Sequence, residues 1–84
     1  MKALVWSKYG CTFCDQAKDL LELKGYEIEE RKIGDGYTKE DLLESVPTAR
    51  SLPQIFVEAR YVGGFNDLQR YFEETTSDYG DGAL

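Results

Sequence analysis

The sequence predicts one small α/β domain whose elements follow the order β-α-β-α-β-β-α. Short runs of strand-forming residues alternate with longer segments in which apolar residues recur at helical spacing. The chain has 84 residues, enough for one modest core and too few for two domains. We therefore expect a four-stranded mixed sheet flanked by three helices over residues 1–74, followed by an acidic, flexible tail over residues 75–84.

The first three elements form the predicted β-α-β unit. A strand is predicted at Ala3–Ser7, a short apolar run rich in strand-forming residues. After a turn at Lys8–Gly10, apolar residues recur at helical spacing over Thr12–Lys24, and Gly25 favours the end of that helix. A second strand is predicted at Glu27–Ile33. Its alternation is poor, and its place between two helices supports the prediction.

The second half of the chain begins with a helix and a hairpin. Thr38 is expected to cap a helix that ends at Val46, with Asp41 completing a capping box. Two strands, Gln54–Glu58 and Arg60–Val62, are predicted to pair across a tight turn.

A last helix follows the pair Gly63-Gly64, which breaks the chain. Asn66 is expected to be its N-cap, because asparagine is a favoured capping residue. The residues of this helix that we expect to face the core are Leu68, Tyr71 and Phe72.

Charge and hydropathy exclude several classes of protein. The net charge is −6, and residues 73–84 carry four acidic side chains and no basic one, so the rest of the chain is nearly balanced. The sequence has no cluster of basic residues of the kind that indicates a nucleic-acid partner. The apolar run Ala3–Trp6 is too short for a secretory signal or a membrane span. We expect a cytoplasmic, monomeric protein without membrane association.

The two cysteines, Cys11 and Cys14, are the only thiols, and the chain has no histidine. A structural zinc site takes four ligands, so one chain cannot complete it, and a site shared between two chains remains an alternative. A structural disulfide across so short a loop removes little chain entropy and is disfavoured in a reducing cytosol. A redox-active pair is the interpretation that we favour.

The position of the pair explains how it would react. Cys11 is expected at the start of a helix, where free N–H groups and the helix dipole favour a thiolate. Lys8 adds positive charge nearby, whereas Asp15 adds an opposing negative charge; we expect the helix end to dominate. Cys14 lies one turn later and can attack a mixed disulfide formed on Cys11.

A Cys-x-x-Cys motif that opens the first helix of a β-α-β pattern resembles the thioredoxin superfamily. More narrowly, the chain resembles the dithiol glutaredoxins of phage or bacterial type, from about Lys2 to Glu74. Lys8 stands at the family's usual distance before the first cysteine. The stretches SLPQIFV (51–57) and GGFNDL (63–68) are similar to the family's proline stretch and glycine pair. The resemblance implies a thioredoxin-like fold.

The resemblance also implies a glutathione site beside the cysteines. Pro53 would follow a cis peptide bond and would pack against Cys11. The N–H and C=O of Leu52 would pair with the backbone of glutathione like a short strand. Phe13, between the cysteines, would form an aromatic lip rather than belong to the core.

The two ends of glutathione would meet different residues. Gly64 would let the backbone approach the ligand, and N–H groups at the helix start near Asn66 would bind the γ-glutamyl carboxylate. Asp67 would accept from the ammonium, and Lys8 would pair with the glycine carboxylate. The alternatives are a solvated lysine at position 8, a plain turn at the glycines and a carboxylate at position 67 that only caps its helix.

One departure from the family concerns the motif itself. The family's common inner pair is Pro-Tyr, whereas this chain has Thr12-Phe13. Thr12 lacks the rigidity of proline, and its hydroxyl could bond to a thiolate, so the redox potential stays open.

The expected function is a glutathione-dependent thiol-disulfide oxidoreductase that reduces protein disulfides and glutathione mixed disulfides, with ribonucleotide reductase among its clients. One alternative is a carrier of the same fold that thioredoxin reductase reduces. A second is an iron–sulfur carrier, bridged by one cluster through Cys11 and glutathione. A third is a binding module that has lost turnover.

Overall fold

The computed structural model describes the backbone of residues 1–82 and the side chains of residues 1–73. Its elements follow the order β-α-β-α-β-β-α, as predicted. They are β1 (Lys2–Lys8), α1 (Thr12–Leu23), β2 (Glu27–Ile33), α2 (Lys39–Ser45), β3 (Gln54–Val57), β4 (Arg60–Gly63) and α3 (Phe65–Gly82). The predicted bounds of the elements before α3 agree with these within one residue.

The tail predicted over residues 75–84 falls on residues whose side chains lie outside the described part of the chain. Its flexibility therefore stays a prediction. Within the part of the chain that the structure describes, none of the helices combines the length and the apolar character that crossing a bilayer requires.

The four strands form one mixed sheet in the order β2-β1-β3-β4, which confirms the predicted sheet. Strand β1 pairs in parallel with β2, with Lys8 opposite Ile33. On its other edge, β1 pairs antiparallel with β3, with Trp6 opposite Gln54. Strands β3 and β4 form the predicted hairpin, with Val57 opposite Arg60.

The alternating side chains of β1 divide the helices between two faces of the sheet. Ala3 and Val5 belong to a buried cluster that also contains Ala17 and Leu21 of α1. Leu68 and Phe72 of α3 complete that face. On the opposite face, Trp6 packs against Leu42 and Val46, which lie in and just after α2. The central strand is thus covered on both sides.

Helix α2 begins with the predicted capping box. The Thr38 hydroxyl accepts from the Asp41 N–H at 3.2 Å, and the Asp41 carboxylate accepts from the Thr38 N–H at 2.9 Å. Two of the helix's otherwise unpaired donors are satisfied in this way. The cap therefore fixes where α2 starts.

The start of α3 differs from the prediction. The helix begins at Phe65, and the Gly64 carbonyl accepts from the Leu68 N–H at 2.9 Å. The Asp67 carboxylate accepts from the Gly64 N–H at 3.0 Å. Asn66 therefore lies inside the first turn, and the prediction that it caps the helix is wrong. The carboxylate three residues after Gly64 binds that N–H and places the cap at the glycine.

A small ionic cluster joins α1 to the sheet. The Glu30 carboxylate of β2 accepts from Lys18 Nζ at 2.8 Å and from the buried Ser7 hydroxyl at 2.5 Å. Burial raises the pKa of Glu30, but the hydrogen bonds from Lys18 and Ser7 and the nearby lysine charges outweigh it, so the net pKa is lowered. The hydrogen bond to Glu30 raises the pKa of Lys18, with burial opposing it.

Glu30→Gln tests this cluster through the pH dependence of stability. Because the folded pKa of Glu30 lies below its ordinary value of 4.5, its contribution is present above that pH and disappears as the pH falls through the folded pKa. We expect the variant to lose about 1–2 kcal/mol of unfolding free energy at pH 7 and much less at pH 3. Urea titrations at both pH values measure the difference.

Glu29→Gln is the matched control, since Glu29 lies next to Glu30 but its side chain is 55% exposed and pairs only with Arg31 among the ion pairs of the described residues. The Glu29→Gln variant should lose less than about 1 kcal/mol of unfolding free energy. An equal loss for Glu30→Gln at both pH values would contradict the role given to the ionised carboxylate.

The turn between β3 and β4 generates a second prediction. Glu58 and Ala59 both have positive φ, at 52° and 69°, in a two-residue hairpin turn that normally favours glycine or asparagine. Ala59→Gly should raise the unfolding free energy by about 1 kcal/mol, because the strain exceeds the entropy cost of glycine. Ala49→Gly, at a loop position without positive φ, should instead lower it. Urea unfolding of both variants checks the prediction, and a loss for both would refute it.

Candidate active site

The N-terminus of α1 positions the two cysteines. Cys11 is the N-cap residue, and its Sγ accepts from the Cys14 N–H at 3.1 Å. The two sulfurs form a disulfide, with 5.2 Å between the Cα atoms. The same N–H, together with the helix dipole, would stabilise a thiolate at Cys11 once the bond is reduced.

The two cysteine residues differ in exposure, which favours Cys11 as the first to react. Cys11 is 9% exposed, whereas Cys14 is 1% exposed and packs inside the fold. An incoming disulfide can therefore approach Cys11 first. Cys14 remains within reach to resolve the resulting mixed disulfide.

Asp15, expected to oppose a thiolate, is directed elsewhere. Its side chain is 72% exposed, and its carboxylate lies 3.6 Å from Lys18 Nζ. Solvent and the lysine both weaken its field at the cysteines. The helix terminus is therefore the stronger influence on Cys11.

The loop before β3 closes the site on the other side. The Leu52–Pro53 peptide bond is cis, as the family resemblance implied, and Pro53 is buried. The Leu52 carbonyl oxygen lies 3.9 Å from Cys11 Sγ. The backbone of Leu52 is thus placed directly beside the reactive sulfur.

Side chains from two strands brace this loop. The buried Gln54 side chain donates to the Ser51 carbonyl at 2.8 Å. The Tyr61 hydroxyl in turn donates to the Gln54 side-chain oxygen at 2.6 Å. This chain of hydrogen bonds holds both ends of the Ser51–Gln54 segment.

An open groove of about 420 Å³ runs from the cysteine motif to the start of α3, and we call it the aromatic groove. Six of the residues expected to bind glutathione line it: Phe13, Leu52, Pro53, Gly64, Asn66 and Asp67. Phe13 is 59% exposed, so it forms a lip of this groove and not part of the core.

The remaining residue of the expected glutathione site, Lys8, lies elsewhere. It lines a second cavity of about 530 Å³, which we call the basic groove, together with Lys39 and Arg50. Ser51 and Leu52 line both cavities. The expected site residues are therefore divided between two grooves that meet at the Leu52 segment.

The two grooves differ in charge. Among the described residues, Asp67 is the only charged one that lines the aromatic groove, and the basic groove has three cations and no carboxylate. The site is thus electrically asymmetric about Leu52. Separately, the described residues contain no group of three or more cysteine, histidine, aspartate or glutamate side chains that could hold a metal ion.

Sequence reasoning missed two aromatic residues of the site. Phe65 stacks on Phe13, with 6.0 Å between ring centroids and 30° between planes. Tyr61 lines the same groove, and its pKa is raised by burial first and then by the Asp67 carboxylate. Their positions in the sequence could have indicated this role, because both lie within two residues of the Gly63-Gly64 pair that was predicted to approach the ligand.

Comparison with known proteins identifies the family. The family model described as Glutaredoxin matches residues 3–62. Glutaredoxin 1 of Escherichia coli (strain K12) is 31% identical over 81 residues, covering 88% of this chain and 95% of that protein. This chain belongs to the glutaredoxin family. With its paired cysteines, it is a thiol-disulfide oxidoreductase.

Two further matches extend this result. The hybrid peroxiredoxin hyPrx5 of Haemophilus influenzae is 37% identical over 68 residues, which are 81% of this chain but 28% of that protein. The crystal structure of a buckwheat glutaredoxin–glutathione complex has a TM-score of 0.74, covering 87% of this chain and 69% of that one at 19% identity. That similarity shows the shared fold. The thioredoxin-like fold implied by the sequence resemblance is confirmed.

Gly63→Ala tests the packing at the end of the aromatic groove. Gly63 has a φ of +124°, and an added Cβ would collide with the Asp67 carboxylate, 2.9 Å from its Cγ. We expect a loss of about 2–3 kcal/mol in unfolding free energy. Gly36→Ala is the control, because Gly36 has a φ of +93° and no atom lies within 4 Å of the added Cβ. We expect this variant to lose only about 1 kcal/mol of unfolding free energy. Equal losses in urea unfolding would mean that Asp67 imposes no constraint.

Proposed function

We propose that this protein is a glutathione-dependent oxidoreductase that reduces protein disulfides and glutathione mixed disulfides. The observation that carries the proposal is the charge arrangement around Leu52, with Asp67 on one side and three cations on the other. Glutathione carries an ammonium at its γ-glutamyl end and a carboxylate at its glycine end. A molecule lying across Leu52 would match both grooves.

The aromatic groove suits the γ-glutamyl end. The Asp67 carboxylate already accepts from the Gly64 N–H, and its second oxygen can accept from the ammonium. The first N–H groups of α3, from Phe65 and Asn66, have no partner within the helix and can bind the α-carboxylate.

The middle and the other end of the ligand would meet the remaining residues. The N–H and C=O of Leu52 would pair with the ligand backbone, and Lys8 would pair with the glycine carboxylate. This arrangement would place the ligand sulfur beside Cys11, whose Sγ lies 3.9 Å from the Leu52 carbonyl.

The reaction would proceed by thiol–disulfide exchange. The Cys11 thiolate attacks one sulfur of the substrate disulfide, and the other sulfur leaves as a thiolate that takes a proton from solvent. Cys14 then attacks Cys11, releases the second substrate thiol and leaves the Cys11–Cys14 disulfide seen in the structure. Two glutathione molecules reduce that disulfide and become oxidised glutathione. For a glutathionylated substrate, glutathione itself resolves the enzyme mixed disulfide.

The family context supports this proposal, because glutaredoxins use glutathione as a reductant and the buckwheat relative was solved as a glutathione complex. We further propose a cytoplasmic monomer, since a reducing compartment maintains the thiol form. Ribonucleotide reductase is the client that we propose, from the resemblance to dithiol glutaredoxins that serve it. Deoxyribonucleotide formation with that enzyme as acceptor tests the client.

A reduction assay tests the electron source. The protein is given an excess of a disulfide-bearing protein or a glutathionylated thiol as the electron acceptor, and the electrons are supplied either by glutathione, glutathione reductase and NADPH or by thioredoxin reductase and NADPH. We expect fast NADPH oxidation only with glutathione. Turnover only with thioredoxin reductase would overturn the proposal and favour the thioredoxin-reductase-linked carrier.

Variants assign the residues in the same assay. Cys11→Ser should abolish turnover, whereas Cys14→Ser should keep reduction of a glutathionylated thiol and lose reduction of a protein disulfide. Asp67→Asn should raise the KM for glutathionylated substrate about tenfold, because it removes a charge-assisted contact. Asp35→Asn, in an exposed turn, is the control. An unchanged KM for Asp67→Asn would remove this residue from the site.

A further inference from the structure

The basic groove offers more surface than the glycine end of glutathione can cover. Its floor is formed by apolar side chains from β2, α2 and the loop before Pro53: Ile33, Leu42, Leu43, Ala49 and Leu52. A glycine residue has no side chain to place on such a floor. The lining therefore suggests a second kind of ligand with a large apolar side chain.

The cations of the basic groove are free to bind that ligand. Within the described residues, the ion pairs involve Lys18, Arg31 and Lys32, and none involves Lys8, Lys39 or Arg50. Three of the chain's ten basic residues thus gather, unpaired, around one cavity of a protein whose net charge is −6. Such a local reversal of sign favours a ligand with carboxylates and disfavours basic ones.

We propose that the basic groove binds the disulfide-bearing segment of protein clients in which a large apolar side chain lies next to aspartate or glutamate. The apolar side chain would cover Leu42 and Leu43, and the carboxylates would pair with Lys39 and Arg50. The inference rests on the proposed function, because it names the client class of the same site. It adds a peptide subsite on the side of Leu52 away from Asp67.

The groove lies where it can present a client disulfide to the nucleophile. Leu52 belongs to its lining, and the Leu52 carbonyl is 3.9 Å from Cys11 Sγ. The Cys11 thiolate would attack the client disulfide and displace one client thiolate. Cys14 would then displace the second, so the client gains two electrons and two protons as the protein becomes the disulfide.

Binding of peptides without cysteine tests the subsite independently of turnover. The probe is a fluorescein-labelled octapeptide in which one leucine is flanked by glutamates and serine replaces cysteine. Two companion peptides replace the glutamates with lysine or the leucine with serine. Fluorescence anisotropy with the oxidised protein should give affinity at least tenfold higher for the first peptide than for either companion, and the affinity should fall as salt is added.

Protein variants locate the binding. Lys39→Glu and Arg50→Glu should each weaken binding of the first peptide about fivefold or more, and Leu43→Ser about threefold or more. Lys39 is the first residue of α2, where glutamate is compatible with the helix dipole, so that variant should fold. Lys2→Glu is the control, because it makes the same charge change at the opposite end of β1, about 20 Å along the strand from Lys8.

The outcomes separate the two proposals. Loss of binding in Lys39→Glu and Arg50→Glu with Lys2→Glu unchanged would support the subsite. Equal affinity for the leucine and serine peptides, or equal weakening by Lys2→Glu, would overturn it in favour of general attraction of anions. Because no glutathione is present, failure of the glutathione assay alone would leave a positive binding result standing.

Discussion

The central strand β1 is the constraint on which the rest of the structure depends. Both of its edges are paired, with β2 in parallel and β3 antiparallel, so its backbone groups are satisfied without solvent. Both of its faces are covered, because Val5 lies in the cluster with α1 and α3 and Trp6 lies in the cluster with α2. The strand ends at Lys8, three residues before Cys11. The position of β1 therefore determines where the chain leaves the sheet and where Cys11 lies.

Charge around the nucleophile is positioned by strand register on one side of Leu52 and by a helix cap on the other. Lys8 reaches the basic groove because its register places it opposite Ile33, at the end of β2 that meets α2. Asp67 reaches the aromatic groove because its bond to the Gly64 N–H holds it at the start of α3. A substrate that crosses Leu52 thus moves between fields of opposite sign, which favours one orientation of a dipolar ligand over its reverse.

Features with one clear local signal were predictable from the sequence, whereas features with two competing local signals or with distant contacts were not. The Thr38 cap of α2 follows from one short motif, and the structure confirms it. The predicted start of α3 was wrong because Asn66 is a good capping residue in isolation, whereas in the folded chain the Asp67 carboxylate accepts a hydrogen bond from the Gly64 N–H. The separation of Lys8 from the aromatic groove depends on strand register, which no local pattern reports.

The altered inner pair of the motif acts on the same helix end. Thr12 is the first residue of α1, the position where the family's proline would have no N–H. This chain therefore has one more unpaired amide at the helix end that carries Cys11, in addition to the Cys14 N–H that bonds its sulfur at 3.1 Å. More donors at that end stabilise a thiolate relative to a disulfide. Stabilising the reduced form raises the reduction potential. We therefore expect this chain to have a higher reduction potential than its Thr12→Pro variant, and redox titration of both proteins against glutathione measures the difference.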